Sequence, residues 1–346
     1  MTRPTTQRES GASGRPRDDD PGGRLISFGG LLADLVVRVD AVPERGADVL
    51  ARGFSQTVGG GFAVVVAAAR LGMATTLAGV LGNDPIADAA RRSLRDEGID
   101  LLFPEPRAGS SGVCLVLVDA DGERTMVTVQ GVESRVQSED FDAVAPSPDD
   151  VVYLNGYELL YPHATGLVNW VRRVRPDHLV FDPGPLIAEI DPATLATVLA
   201  ATRWLSLNAV EAKALTGESD PAAAAISALT RIGAGDDVDG PETPAGLEFP
   251  AHRHEGGVVV RAGADGCVVV ERGGEPAAVA AFPTEVVDTT GAGDTHVGAF
   301  IAALARGLEP LEACRWANAA AATVVASHGQ ASPPHLDELR AILASA

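Results

Sequence analysis

Lysine is nearly missing from this chain of 346 residues: Lys213 is the only one, and the other 26 basic residues are arginines. A Walker-type phosphate loop needs lysine followed by Ser or Thr after its glycines. Lys213 sits in Glu-Ala-Lys-Ala, without such a loop. The strand lysine of protein kinases, in a Val-Ala-Ile-Lys context, is absent too. A nucleotide handled by this chain is therefore handled without a phosphate-binding lysine. Cysteine is also scarce: Cys114, Cys267 and Cys314 are far apart and form no CxxC pair. That excludes a disulfide framework or a zinc knuckle, fits a reducing compartment, and leaves the thiols as small buried hydrophobes. No apolar run approaches the roughly 20 residues of a membrane helix. Met1 to Gly23 has no apolar stretch and is rich in Arg, Asp, Gly and Ser, so it reads as a disordered tail rather than a signal peptide or anchor. Positive charge is in deficit as well. A net charge of −20 repels nucleic-acid backbones and anionic lipid, so neither is an expected partner, and a cytoplasmic location follows.

What is present is apolar residue in quantity. Of the chain, 46% is hydrophobic, enough for one large domain over residues 24–346. Apolar runs alternate with helical patterns, which predicts α/β architecture with a mainly parallel sheet. Strands are expected at Leu25 to Gly29, Thr75 to Val80, Val151 to Leu154, Leu179 to Phe181, Trp204 to Ser206, Val258 to Arg261 and Cys267 to Glu271. Helices are expected at Phe62 to Leu71, Pro85 to Glu97, Ala292 to Ala305 and Leu311 to Ala326. Two stretches break the rhythm. Residues 35–57 and 113–129 read as strands without intervening helices, and Asp119-Ala-Asp-Gly122 is a hairpin turn signal. They predict a small antiparallel lid. Residues 233–257 are acidic and rich in Gly and Pro, and read as a flexible insertion. Its His252-Arg-His254 reads as solvated.

The strongest chemical signal is Asp288-Thr-Thr-Gly-Ala-Gly-Asp294, set just before an apolar helical run. A helix start offers unpaired amides and the positive end of the dipole. Gly291, Ala292 and Gly293 let an anion approach that backbone. Asp294, in the first turn, can take a proton from a hydroxyl attacking phosphorus. The bland alternative is a glycine turn with a helix cap. Upstream, Val58-Gly-Gly-Gly61-Phe-Ala63 leads into an alanine-rich run ending Arg-Leu-Gly72. A dinucleotide fingerprint fails here, because Val64 stands where the third glycine belongs.

These two segments resemble the signatures of the ribokinase-like, or PfkB, carbohydrate kinases, and the resemblance extends over about residues 25 to 340. It implies a three-layer α/β/α domain with a mainly parallel central sheet and a small β lid. It implies Asp294 as catalytic base, with the backbone of Gly291 to Asp294 as anion hole. Gly59, Gly60 and Gly61 would close over the acceptor. Ala63 falls where the family usually carries a substrate-contacting asparagine. Asp34, beyond the first strand in Gly29-Gly-Leu-Leu-Ala-Asp34, matches the family aspartate that bonds sugar hydroxyls. Asn208-Ala-Val-Glu211 resembles its N-x-x-E motif, which implies that Glu211 holds magnesium through water beside Asn208. Arg261-Ala-Gly263-Ala-Asp-Gly266 is similar to its T-x-G-x-x-G nucleotide turn, with Arg261 in place of threonine. Asn318 matches a helix beside adenine. Asp288, Thr290, Gly329 and Ser332 match a potassium loop. Asp182-Pro-Gly-Pro stands at a strand's end without an assigned role. The implied reaction is ATP-dependent phosphorylation of a small sugar, with magnesium, potassium as a further ion, and a homodimer through the lid. A nucleoside kinase of the same fold and a non-catalytic sugar sensor stay open. The 4% aromatic content favours a sugar over a stacked base.

Overall fold

The computed structural model describes residues 22–233, 256–327 and 332–345. Most of the N-terminal tail, the insertion with His252 and His254, and Gly329 lie outside them. The strands are β1 (Arg24–Phe28), β2 (Ala33–Arg38), β3 (Gly53–Val58), β4 (Ala74–Leu77), β5 (Asp100–Leu101), β6 (Val113–Val118), β7 (Arg124–Val129), β8 (Val151–Asn155), β9 (His178–Asp182), β10 (Trp204–Asn208), β11 (Gly257–Arg261), β12 (Cys267–Glu271) and β13 (Ala277–Val279). The helices are α1 (Phe62–Arg70), α2 (Pro85–Asp96), α3 (Ser138–Asp142), α4 (Ala164–Val174), α5 (Pro192–Ala201), α6 (Ala209–Thr216), α7 (Pro221–Leu229), α8 (Ala292–Ala305), α9 (Pro310–Val325) and α10 (Leu336–Ala344).

Nine strands form the main sheet in the order β13-β12-β11-β10-β9-β8-β1-β4-β5. From β11 to β5 every pair is parallel; β12 and β13 add antiparallel hairpins at one edge. Central strands such as β8 and β10 are buried almost end to end, because parallel strands are covered on both faces. One face packs Phe28, Leu154, Phe181 and Leu207 against α4 to α7, around the fully buried Trp170. The other packs Leu25, Val151, Tyr153 and Val259 against α1, α8 and α9. On that side Gly298 of α8 lies against α1, where an added Cβ would stand 2.3 Å from the Val64 carbonyl oxygen. The three layers are those implied by the resemblance.

The chain begins in the middle of the sheet. It grows one way through β4 and β5, and the other way through β8 to β11, so the direction switches between β1 and β8. In open α/β sheets the carboxyl ends of strands at such a switch frame a crevice.

The four strands of the second sheet run β3-β2-β6-β7. Its hairpins are antiparallel, but its centre corrects the expectation: β2 and β6 pair in parallel. Parallel neighbours need a long crossover, and β3, α1, β4, α2 and β5 supply it. Register separates the two faces. Asp34, Cys114 and Thr128 are level on one face, as are Val36, Val116 and Met126. The opposite face exposes Phe54, Leu115, Val127 and Val129, with Phe54 66% exposed. Among the described residues no helix is long and apolar enough to cross a membrane.

Candidate active site

A cavity of ≈ 380 Å³ opens at the carboxyl ends of the central strands, under the inner face of the small sheet. Its floor is the glycine turn before α8. Gly291 caps that helix with φ +73°, a left-handed conformation that costs a residue with a Cβ about 1–2 kcal/mol. The Asp288 carboxylate accepts the Thr290 N–H at 2.9 Å and folds the turn back on itself. The amides of Gly293 and Asp294 then occupy the first helical turn, where no carbonyl lies four residues earlier in helical geometry. Gly293 and Asp294 both line the cavity. Burial raises the Asp294 carboxyl from an ordinary value of 3.8 to about 6, with Asp182 adding to the rise and Arg261 opposing it.

The opposite wall includes Gly30, Gly60, Gly61 and Asp34. Gly60 has φ +70°, and a Cβ there would stand 2.1 Å from the Gly30 carbonyl oxygen. A Cβ on Gly59 would stand 2.3 Å from the Asp34 carboxylate. Gly59 and Gly60 thus have no room for side chains, because the Asp34 carboxylate and the Gly30 backbone occupy the space. Asp34 lines the cavity, and burial pushes its carboxyl up to about 6, with Arg124 drawing it down. Behind it, the Gly30 N–H donates to Glu158 Oε1 at 2.9 Å. Glu158 Oε2 lies 2.9 Å from His163 Nε2, and His163 Nδ1 accepts the Val136 N–H at 3.3 Å. The accepting Nδ1 leaves the ring proton on Nε2, so His163 donates to Glu158. This buried chain fixes the loop that leads into β2 and Asp34.

The small sheet reaches down to the glycine turn at two points. Arg124 Nη1 donates to Thr290 Oγ1 at 2.9 Å, and Arg38 Nη2 lies 3.6 Å from Asp288 Oδ2. The third corner is the start of α6. Asn208 accepts the Glu211 N–H at 2.8 Å through its side chain, while Glu211 accepts the Asn208 N–H at 2.7 Å and its Nδ2–H at 2.6 Å. This capping box turns both groups into the cavity. Burial and the neighbouring Asp182 raise the Glu211 carboxyl, against Arg261.

The residues singled out in the sequence divide accordingly. Asp34, Gly60, Gly61, Asn208, Glu211, Arg261, Gly291, Gly293 and Asp294 line one cavity. Gly59 lies behind Asp34, and Ala63 is half-buried in the first turn of α1, outside the lining. Gly263 and Gly266 form a tight turn, closed by the Ala262 N–H donating to the Gly266 carbonyl at 2.7 Å. Asn318 is buried and donates to the carbonyls of Val279 and Ala280 at 3.0 and 3.1 Å, closing backbone beside that turn. Ser332 accepts from Arg70 Nη1 at 3.0 Å, whereas Asp288 and Thr290 meet Arg38 and Arg124.

Sequence reasoning passed over Arg124, Asn155 and Glu158 and left Asp182 without a role; all four line the cavity. Asn155 ends β8 as Asp182 ends β9, so the rule that ligands gather at strand carboxyl ends would have found Asn155 as well. Arg124 carried no local signal beyond its place after a hairpin turn. Aromatics are scarce in the chain but not at this cavity. Tyr153, Tyr157 and Tyr161 are the chain's only tyrosines, and all three line this cavity.

A family model described as pfkB family carbohydrate kinase matches residues 23–336. A relative from Escherichia coli K12, named as the uncharacterized sugar kinase YegV, is 32% identical over 316 residues, covering 91% of this chain and 92% of its own. An ATP-dependent ribose-1-phosphate kinase from Halopiger xanaduensis is 29% identical over 323 residues, covering 92% of this chain and 98% of its own. Among solved structures, ribokinase from Thermotoga maritima superposes with a TM-score of 0.73 at 25% identity, covering 93% of this chain and 99% of that one.

Proposed function

The chain belongs to the pfkB family of carbohydrate kinases, and from that premise we propose that it transfers the γ-phosphoryl group of ATP to a hydroxyl of a small sugar, with Asp294 as the base. The observation that carries this reading is the placement of two carboxylates, Asp34 and Asp294, in one cavity with the open amides of the α8 N-terminus. Asp34 accepts hydrogen bonds from the acceptor's hydroxyls and orients them. Asp294 removes the proton of the attacking hydroxyl as its oxygen forms the new bond to phosphorus. The bond from phosphorus to the bridging oxygen breaks in line, and ADP leaves with that oxygen's charge. Charge on the transferring group falls opposite the Gly293 and Asp294 amides and the Arg124 guanidinium, which is fixed over the turn by Thr290.

The donor set at the α6 corner suits magnesium held through water. Both Glu211 oxygens already accept from Asn208, and their remaining lone pairs can accept from a hydrated ion. A bound magnesium ion would supply neutralising charge to the phosphates.

ADP release with Mg-ATP, measured against pentoses, hexoses, ketoses, sugar phosphates and nucleosides, tests the proposal. Sugar-dependent ADP release supports it and identifies the acceptor class. Release with no acceptor of the panel, in protein that still binds sugar, favours a sugar sensor instead. A nucleoside acceptor is a second reading, favoured by Tyr157 and Tyr161 in the lining beside Met126. It predicts that adenosine or another nucleoside outruns every sugar in the same assay.

We also propose a second copy of the chain as partner, docked on the exposed face of Phe54, Leu115, Val127 and Val129. Charging that face with Val127→Asp is expected to convert a dimer to monomer in sedimentation velocity. A wild-type monomer across the micromolar range would refute the pairing.

A further inference from the structure

Of the ionisable side chains in the cavity wall, Asp34, Glu158, Asp182, Glu211 and Asp294 are carboxylates, whereas only Arg124 and Arg261 are cations among the described residues. That balance is unfavourable for a donor carrying several negative phosphates. Arg261 stands where its strand neighbours concentrate the problem. β9, β10 and β11 lie side by side, with Leu205 level with Phe181 and Asn208 level with Arg261. Their carboxyl ends therefore bring Asp182, Ser206 and Arg261 together.

The Arg261 guanidinium is built into that corner. Nη1 donates to Asp182 Oδ2 at 2.8 Å and to Ser206 Oγ, and Nη2 lies 3.5 Å from Glu211 Oε2. The side chains of Arg261, Asp182 and Glu211 are 13%, 8% and 4% exposed. A Cβ placed on Gly293 would stand 3.8 Å from Arg261 Nε and Nη2, so the guanidinium lies against the anion-hole turn. A planar fork with this many fixed partners does not swing out freely.

We propose that Arg261 is a fixed counter-ion for the donor phosphates, a positioning residue whose charge offsets Asp182 and Glu211 beneath the anion hole, and that Asp182 serves to hold Arg261 rather than to touch a ligand. The proposal rests on the kinase reading above and deepens it. Without the guanidinium, two carboxylates would face an incoming polyanion across a partly desolvated wall. Without both members of the Asp182–Arg261 pair, the corner would return to the charge it has now. A pair that only ties β9 to β11 predicts neither effect.

Calorimetric titration with magnesium and a non-hydrolysable ATP analogue separates these cases without knowledge of the acceptor. Arg261→Thr is expected to weaken analogue binding by about tenfold or more. Adding Asp182→Asn to that variant should restore affinity to within about threefold of wild type. Arg261→Lys keeps the charge, and should stay within about threefold even if the threonine variant does not fold, because the offset needs the cation and not the fork. Wild-type affinity in folded Arg261→Thr overturns the proposal. So does a double variant as weak as the single one, or a tenfold loss in Arg261→Lys. If wild-type protein itself does not bind the analogue, the kinase reading fails first, and this inference with it.

Discussion

Asp294→Asn leaves the protein folded and lowers kcat by about 10²- to 10⁴-fold, the contribution of a positioned base, while nucleotide and acceptor still bind. Asparagine keeps the size of the side chain and cannot take the proton. Single-turnover ADP formation with saturating acceptor checks this. A variant that keeps more than a tenth of wild-type kcat would remove Asp294 from the role of base. The environment of Asp294 gives the experiment a second signature. Its carboxyl is raised to about 6, first by burial and then by Asp182. A base must be ionised, so activity rises with pH through about 6 and is lost below it. Asp34 is raised to about 6 as well, by burial. With both carboxylates required as anions, the logarithm of kcat/KM for the acceptor climbs on the acid side with a slope approaching 2.

The same shift has a consequence for stability. A carboxyl whose folded pKa exceeds its unfolded value binds its proton more tightly in the native state. Folding stability from this group therefore falls as pH rises from about 4 to about 6, and the cost remains in full above that. The neutral amide of the asparagine variant carries no such cost. The melting temperature of Asp294→Asn at pH 7 to 8 is expected to exceed that of wild type by about 2–5 °C, with the gap closing near pH 4.

Asp34→Asn is the second large effect. An ionised carboxylate accepting from acceptor hydroxyls contributes about 1.5–3 kcal/mol per bond. Its loss raises the acceptor KM by about 10- to 100-fold and leaves binding of the ATP analogue within about twofold. The variant also reduces the slope of the acid limb from near 2 to near 1, since one of the two titrating anions is gone. An unchanged acceptor KM, or a nucleotide defect equal to the acceptor defect, would move Asp34 out of the acceptor site.

Much of this could be read along the chain because it is local. The Gly291 turn, the first helical turn that follows it and the Asn208–Glu211 capping box are each set by residues within a few positions of one another. Local backbone preferences decide them, so order and spacing suffice. The alternation of buried strands and helices is equally local in origin, and β6, β7, β12 and α8 lie where hydrophobic pattern and turn residues predict. The short strands β5 and β13 escaped notice, since two or three residues carry no period.

Strand order is another matter, because it depends on packing between residues far apart in sequence. The parallel pairing of β2 with β6 follows from a crossover that contains five other elements. Arg124 meets Thr290 across 166 positions, and Arg261 meets Asp182 across 79. No periodicity or motif encodes such encounters. Residue order alone was enough to specify an α/β chain with a glycine-rich turn before a long helix and a carboxylate in that helix's first turn. Which charges share the cavity was settled by the folded arrangement: five carboxylates and two guanidinium groups come together there from the small sheet, the ends of the central strands and the starts of α6 and α8. Burial at that convergence is also what lifts Asp34 and Asp294, and desolvation is a property of surroundings that a residue's own neighbours in sequence do not set.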